Sequence, residues 1–161
     1  MARLALCTVA GFSITGIRGK HADPWGKEFG QKNTIWRVEV SGLRIAHLGD
    51  NGPLSESNVR DLDGVDTLLM PIDAREHILK LDEIREIRRA VRPRVVIPMH
   101  YRHPDLENSE ESPQGLGPID PWLAGKKSVT RLAGNYAVFT RHALTANERI
   151  VVFQHSSKVR V

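Results

Sequence analysis

The chain has 161 residues, of which 40% are hydrophobic and 26% are charged, and its formal net charge is +4. This length allows one domain with a real core, and we therefore expect a single domain over residues 1–161. The basic residues carry no aromatic-interleaved patch and no apolar run could span a bilayer, so we expect neither nucleic acid nor a membrane as a partner.

The single cysteine, Cys7, excludes an intrachain disulfide. Residues 1–10 are too short for a secretion signal and run directly into the first predicted strand. Both observations favour a cytoplasmic protein. We interpret Cys7 itself as a small buried strand residue.

The first half of the chain predicts strands. Residues 5–17 read as a strand interrupted at Gly11, and residues 19–32 read as a Gly- and Pro-containing loop. Residues 33–40 and 43–48 flank Ser41-Gly42, which is the spacing of a two-residue hairpin.

The middle of the chain alternates helices with strands. A short helix is predicted over 55–62, a buried strand over 65–72, a helix over 82–91 and a strand over 95–99. Ile84, Ile87 and Val91 recur at helical spacing before Pro93. An earlier helix start is an alternative, with Asp73 as the cap and Glu76 three residues later.

The last third is less regular. Residues 102–128 are rich in Pro, Gly, Ser and acidic residues, and such a long segment is more often a lid or mobile loop than packed structure. Residues 136–140 and 149–154 are predicted as the closing strands. The whole pattern predicts an α/β protein with a mixed sheet.

Two of the buried strands end in a side chain that can bind a metal. The apolar run at 94–99 delivers His100 to its far end, and the run at 43–48 delivers Asp50 through Gly49. A strand buried on both faces opens to solvent at its end, so each side chain is free to do chemistry there.

Five sequence elements in order resemble the metallo-β-lactamase fold, in its branch of broad-specificity bacterial metal-dependent hydrolases. They are Lys-His-Ala-Asp at 20–23, Asn-Thr-Ile at 33–35, His-Leu-Gly-Asp at 47–50, Val-Asp-Thr-Leu-Leu-Met-Pro at 65–71 and Ile-Pro-Met-His-Tyr at 97–101. The first metal motif of that family, H-x-H-x-D-H, is absent. The resemblance therefore implies the C-terminal half of an αββα sandwich, with a mixed sheet and helices on one face.

The resemblance also implies a set of metal ligands. His21, Asp50 and His100 match family ligands, with Asp50 as the bridging, catalytic aspartate and zinc, or another divalent ion, as the cofactor. Three ligands are too few for two closed sites but enough for one open site. A metal-bound hydroxide would then attack an ester, amide, lactone or phosphoester of a small-molecule substrate.

Each candidate ligand also has a simpler interpretation. A histidine in a Gly-rich loop, such as His21, is usually exposed, and turns often recruit an aspartate such as Asp50. His100 is harder to dismiss, because a titratable ring at a buried strand end is costly unless it is used. Weaker candidates to support the ligands are Asp23, Asp73 and His103. His47 lies three residues before Asp50, so we expect its side chain on the opposite face.

Two function classes stay open. One is a hydrolase completed by a second copy of the chain, by a separate N-terminal half, or by the rest of a longer protein of which this chain is a piece. The other is a non-catalytic scaffold or assembly subunit that has lost the metal. In both, one face of the sheet would need a partner, most simply in a homodimer. The apolar strand residues expected to form that surface are Val38, Val40, Ile45, Val95, Ile97, Val138, Val151 and Phe153.

Overall fold

The computed structural model describes residues 3–9, 11–22, 32–72, 78–102 and 116–154. Its strands are β1 (Arg3–Val9), β2 (Phe12–Lys20), β3 (Lys32–Val40), β4 (Leu43–His47), β5 (Thr67–Pro71), β6 (Val95–Met99), β7 (Val129–Arg131) and β8 (Arg149–Val152). Its helices are α1 (Glu56–Asp61), α2 (Leu81–Val91) and α3 (Asp120–Leu123), with a 3₁₀ turn at Arg141–Ala143. The strands form one sheet in the order β1-β2-β3-β4-β5-β6-β8-β7.

The first four strands form an antiparallel meander. Ser41 and Gly42, which connect β3 to β4, have φ angles of 49° and 75°. Two consecutive positive φ values characterise the tight hairpin turn that matches strand twist, so the predicted hairpin is confirmed. Gly11, with a φ of 81°, lies in the turn between β1 and β2 and splits the strand predicted over 5–17 in two.

The remaining strands run parallel to β4. Because β2 is antiparallel to β3, and β3 to β4, strand β2 also points the same way as β4. The carboxyl ends of β2, β4, β5, β6, β7 and β8 therefore share one edge of the sheet. In open α/β sheets this is the edge where ligands bind.

The three α-helices that the structure describes cover one face of the sheet and enclose the main core. Helix α2 contributes Ile84, Ile87 and Val91, as their spacing predicted, and these residues pack with Leu68 and Val96 from the central strands. The helix ends at Val91, and the capping residue Arg92, with a φ of 52°, is followed by Pro93. No helix in the described part of the chain is long and apolar enough to cross a membrane.

The opposite face of the sheet is only partly covered. A second cluster forms there from Leu43, Val95, Leu144 and Val151, with Leu132, Phe139, Ile97 and Phe153 packed against it. At the β2–β3 end of the sheet, Phe12 and Trp36 remain 42% and 44% exposed. The apolar face predicted to need a partner is therefore open mainly at that end.

Three predictions about local structure are wrong. Residues 136–140 do not form a strand, because β7 pairs with the available side of β8 and leaves Tyr136 and Val138 in solvent, 80% and 84% exposed. The end of the predicted loop contains α3, where Trp122 buries its ring in the main core. Cys7 is exposed. The alternative helix start at Asp73 and Glu76 lies outside the described residues.

Candidate metal centre

The three predicted ligands come from three strand ends at the shared edge. His21 directly follows β2, His100 directly follows β6, and Asp50 follows β4 after Leu48 and Gly49. Parallel direction alone brings these chain positions to the same side of the sheet. The long-range arrangement that the sequence predicted is thus a consequence of the topology.

The Asp50 carboxylate lies between the two imidazoles. His21 Nε2 is 3.6 Å from Asp50 Oδ2, and His100 Nε2 is 3.7 Å from Asp50 Oδ1. Both histidine side chains are largely buried, at 22% and 25% exposure, whereas Asp50 is 41% exposed. The cluster therefore has sheltered imidazoles and a carboxylate that solvent and a ligand can reach.

The side chain next to Asp50 fixes the loop that carries it. Asn51 is fully buried, and its Oδ1 accepts hydrogen bonds from the Lys20 amide and from Asn33 Nδ2, both at 3.0 Å. Its own Nδ2 donates to the Gly52 carbonyl at 2.8 Å. Backbone pairing between His21 and Asn51 completes the link. These bonds hold the end of β2, and hence His21, against the loop of Asp50.

Two glycines make room for this network. A Cβ on Gly19 would lie 1.9 Å from Asn51 Oδ1, which no side chain tolerates. A Cβ on Gly49 would lie 2.7 Å from Asn33 Oδ1, and Gly49 also has a φ of 58°. Glycine is therefore required at both positions for the asparagine pair to form.

His100 adopts a backbone conformation that is unusual for its residue type. Its φ is 57°, in the left-handed region, and this conformation costs an L-residue about 1–2 kcal/mol. Immediately before it, the Met99 carbonyl accepts a hydrogen bond from the Ile72 amide at 2.8 Å, which anchors the end of β6 to the segment after β5. Strained backbone of this kind concentrates at functional sites.

The donor chemistry and the pairwise spacing suit a zinc ion. Tetrahedral zinc, with bonds of about 2.0–2.2 Å, separates its ligand atoms by about 3.4 Å. The two nitrogen–oxygen distances of 3.6 and 3.7 Å are close to that value. Yet the two rings face different oxygens of Asp50, and within the described ranges no group of three or more His, Cys, Asp or Glu side chains has the geometry to hold a metal. Each His–Asp pair has the spacing of two ligands on one zinc ion. The three side chains together do not form a closed metal site.

The weaker candidates divide into two groups. Asp23, Asp73 and His103 lie outside the described residues. His47 is exposed and its Nδ1 accepts a hydrogen bond from the Gly49 amide at 3.0 Å. It pairs in register with Trp36 on the open face, away from the core-facing Ala46 and Leu48, as its spacing predicted.

Sequence reasoning missed the positioning role of Asn33 and Asn51. A signal for Asn33 exists, because it lies two residues before the buried Ile35 and so shares the core side of β3. Asn51 reads locally as a turn residue before Gly52. Only the fold shows that its side chain reaches two other segments.

Tyr101, the residue after His100, begins a polar surface next to the cluster. It is partly buried against the main core. Burial raises the pKa of its phenol above the ordinary 10.0, and the nearby Arg131 guanidinium opposes that shift.

The chain matches the family described as the beta-lactamase superfamily domain over residues 2–100. It is also similar to the crystal structure of a candidate zinc-dependent hydrolase of the metallo-β-lactamase superfamily from Thermotoga maritima. That match has 27% identity and a TM-score of 0.72, and it covers 95% of this chain and 70% of that one.

A second solved structure is a candidate metal-dependent hydrolase from Parabacteroides distasonis. It is 17% identical with a TM-score of 0.51, covering 64% of this chain and 46% of the other, and at this identity it supports the fold alone. Because the family match spans more than half of the sequence, and the Thermotoga maritima relative shares the fold over 95% of it, the chain belongs to the beta-lactamase superfamily and has its hydrolase-like α/β fold.

Proposed function

We propose that this chain is a metal-dependent hydrolase in which His21, Asp50 and His100 bind one divalent ion, zinc in the first instance. The observation that carries the proposal is the approach of both imidazoles to the Asp50 carboxylate, at 3.6 and 3.7 Å. Imidazole nitrogen and carboxylate oxygen are zinc ligands, and three protein ligands leave one coordination position open. A bound zinc ion supplies an acidified water, with a pKa of about 7, as the nucleophile.

In this proposal the protein contributes position and charge. Asp50 is the catalytic residue, because its carboxylate reaches both rings and its charge balances that of the ion. Both rings face Asp50 through Nε2, so binding through these atoms requires the proton of each ring on Nδ1. The Asn33–Asn51 network keeps the Asp50 loop and His21 in register.

We further propose that the isolated chain binds its metal weakly. Within the described residues the ligand set is not closed, and a metal site that lacks outer support loses about 10- to 100-fold in affinity. A second copy of the chain, or a separate N-terminal half, would complete the set. This chain covers 70% of the Thermotoga maritima relative, so the relative contains sequence that this chain does not match.

Metal titration and a substrate screen test the proposal together. The chain, stripped with a chelator, is titrated with zinc by calorimetry and then assayed on aryl esters, a lactone and an aryl phosphodiester. We expect weak binding, and hydrolysis of at least one substrate that zinc restores and chelator removes. Zinc affinity identical in wild type and in Asp50→Asn would contradict the assignment of this site.

One observation favours a second function, that of a non-catalytic assembly subunit. Phe12 and Trp36 are both exposed on the face without α-helices, and the half-buried pair of Ile14 and Val38 lies between them on that face. Contiguous apolar patches of this kind are uncommon on monomers. A second copy of the chain is the simplest cover, because a twofold pair buries the same residues on both sides. Association without any metal-dependent hydrolysis would favour this function over the first.

A further inference from the structure

A pocket of about 380 Å³ opens beside the candidate metal centre. Its walls come from the residues after β6, from α3 and from the carboxyl ends of β7 and β8, so it lies on the same edge of the sheet as His100. Tyr101, which lines it, is the next residue after His100, with Cα atoms about 3.8 Å apart. The pocket is therefore the neighbouring compartment along the edge where ligands bind in such sheets.

The polar residues described in the pocket lining include two arginines. Arg102 and Arg131 contribute two guanidinium groups, and Tyr101 adds a phenol that can donate a hydrogen bond. Asp120 is the one carboxylate among the lining residues that the structure describes. The Arg131 guanidinium and the Tyr101 phenol give an oxyanion groups that can donate hydrogen bonds to it.

The Asp120 carboxylate already contacts one of the two guanidinium groups. It forms an ion pair with Arg131, and the two side chains are 75% and 50% exposed. Exposed ion pairs of this kind contribute little stability. An incoming oxyanion can therefore replace Asp120 on Arg131, whose planar guanidinium suits two parallel hydrogen bonds to a carboxylate or phosphate.

The remaining walls are apolar, and they include Leu132, Val152 and Phe153. The volume lies within the range of small-molecule sites, which is about 300–1,000 Å³. A ligand that fits has an apolar or aromatic body and one oxyanion group. An uncharged polar ligand would form no charge-assisted hydrogen bond with Arg131.

We propose that this pocket binds the oxyanion end, carboxylate or phosphate, of the substrate whose scissile bond lies at the cluster of His21, Asp50 and His100. The inference rests on the proposed hydrolase function for the location of the bond. The affinity of the pocket for an oxyanion does not depend on metal. Oxyanion binding and metal-dependent hydrolysis can therefore be disproved independently of each other.

Binding to the metal-free full chain is the direct test. Benzoate and phenyl phosphate serve as probes, benzamide is the uncharged match, and affinity is measured by chemical-shift titration. We expect both anions to bind and benzamide not to bind. Arg131→Gln removes one charge-assisted contact and should lower the affinity for both anions about 10-fold or more. Stronger binding of one anion than the other identifies the oxyanion that the pocket prefers.

Asp120→Asn gives the opposite result in the same assay. Removing the competing carboxylate should strengthen anion binding, and impaired folding cannot produce that gain. Arg89→Gln, on the exposed surface of α2, is the matched charge control and should change nothing. Anion binding that responds equally to Arg89→Gln and Arg131→Gln, or that is matched by benzamide, overturns the proposal.

The substrate screen separates this inference from the proposed function. One outcome is zinc-dependent hydrolysis that shows no preference for aryl esters with a carboxylate and no effect of Arg131→Gln. This outcome would support the proposed hydrolase and contradict oxyanion binding in the pocket. Anion binding that follows the two variants, without hydrolysis of any substrate, would support the pocket and count against the hydrolase.

Discussion

Asn33 Nδ2 donates to the buried Oδ1 of Asn51 over 3.0 Å, and this bond joins the start of β3 to the loop after β4. Asn33 Nδ2 also donates to the Leu48 carbonyl at 2.8 Å. Because Asn51 Oδ1 also accepts from the Lys20 amide, the pair links the end of β2, the start of β3 and the loop that carries Asp50. The geometry of the candidate site depends on two side chains that bind no ligand themselves.

Replacing Asn51 by alanine should destabilise the fold. The Lys20 amide and Asn33 Nδ2 would both lose their acceptor, and an unsatisfied buried donor costs about 1–3 kcal/mol. Urea denaturation measures the free energy of unfolding. Asn147→Ala, at an exposed position, is the control and should stay within about 0.5 kcal/mol of wild type. Equal stability of the two variants would show that the network contributes nothing.

Gly19→Ala should disrupt the same hydrogen-bond network by displacing the Asn51 side chain. The added methyl group would lie 1.9 Å from Asn51 Oδ1, so the amide must move and release its partners. We expect a loss of about 1–3 kcal/mol, typical of overpacking. Gly134→Ala is the matched control, because its nearest contact would be Tyr136 at 3.9 Å. Thermal denaturation of both variants makes the comparison, and a stable Gly19→Ala protein would rule out the tight packing.

Much of the fold was predictable because its signals are local. The Ser41-Gly42 turn, the apolar spacing along α2 and the β-branched run of β6 each depend on neighbouring residues only. The convergence of His21, Asp50 and His100 was predicted from strand ends and a family resemblance. Parallel strand direction then brings those ends together.

The errors have a different origin. Val129–Arg131 is short and partly polar, and it becomes a strand only because one side of β8 is available to it. Residues 136–140 have a better strand composition but pair with none of the described strands. Whether a segment pairs is thus decided by competition between distant parts of the chain. Asn51 was interpreted as a turn residue for the same reason, since its hydrogen-bond partners lie 18 and 31 residues away.

The metal-site proposal predicts unequal effects of two histidine substitutions. His100→Ala should weaken zinc binding by at least about 10-fold, since loss of an outer partner alone costs about 10- to 100-fold. His142→Ala should have no effect, because His142 is exposed in the 3₁₀ turn, where its neighbour Arg141 bonds the Gly42 carbonyl in the β3–β4 hairpin at the opposite edge of the sheet. Calorimetric titration with zinc measures both. Equal affinities would mean that zinc binds to surface histidines rather than to the candidate centre.

The electrostatic environment away from the candidate site can be tested through the pKa of the Lys126 ammonium group. Burial lowers its pKa below the ordinary 10.5, Arg88 lowers it further and Glu148 opposes both. The Trp122 ring, whose centroid lies 4.3 Å from Nζ, favours the charged form. A lowered folded pKa means that the contribution of Lys126 to stability is present above pH 10.5 and is lost as the pH falls through the folded value.

Side-chain NMR of Lys126 against pH measures this shift. We expect a midpoint below 10.5 in the wild-type protein. Glu148→Gln should move the midpoint further down and Arg88→Gln should move it up, because the first removes an attractive charge and the second a repulsive one. Movement in the reverse directions would refute the stated causes.

The open face of the sheet predicts association through Trp36. Trp36 and Phe12 are 44% and 42% exposed on the face without α-helices, and we expect a second copy of the chain to cover them. Trp36→Glu should shift the protein toward monomer, because a carboxylate cannot be buried without a partner. Leu81→Glu is the matched control, since Leu81 is 43% exposed but lies on α2, on the other side of the sheet. Sedimentation velocity across micromolar concentrations should separate the two variants, whereas a wild-type protein that stays monomeric and binds no apolar dye would exclude a partner on this face.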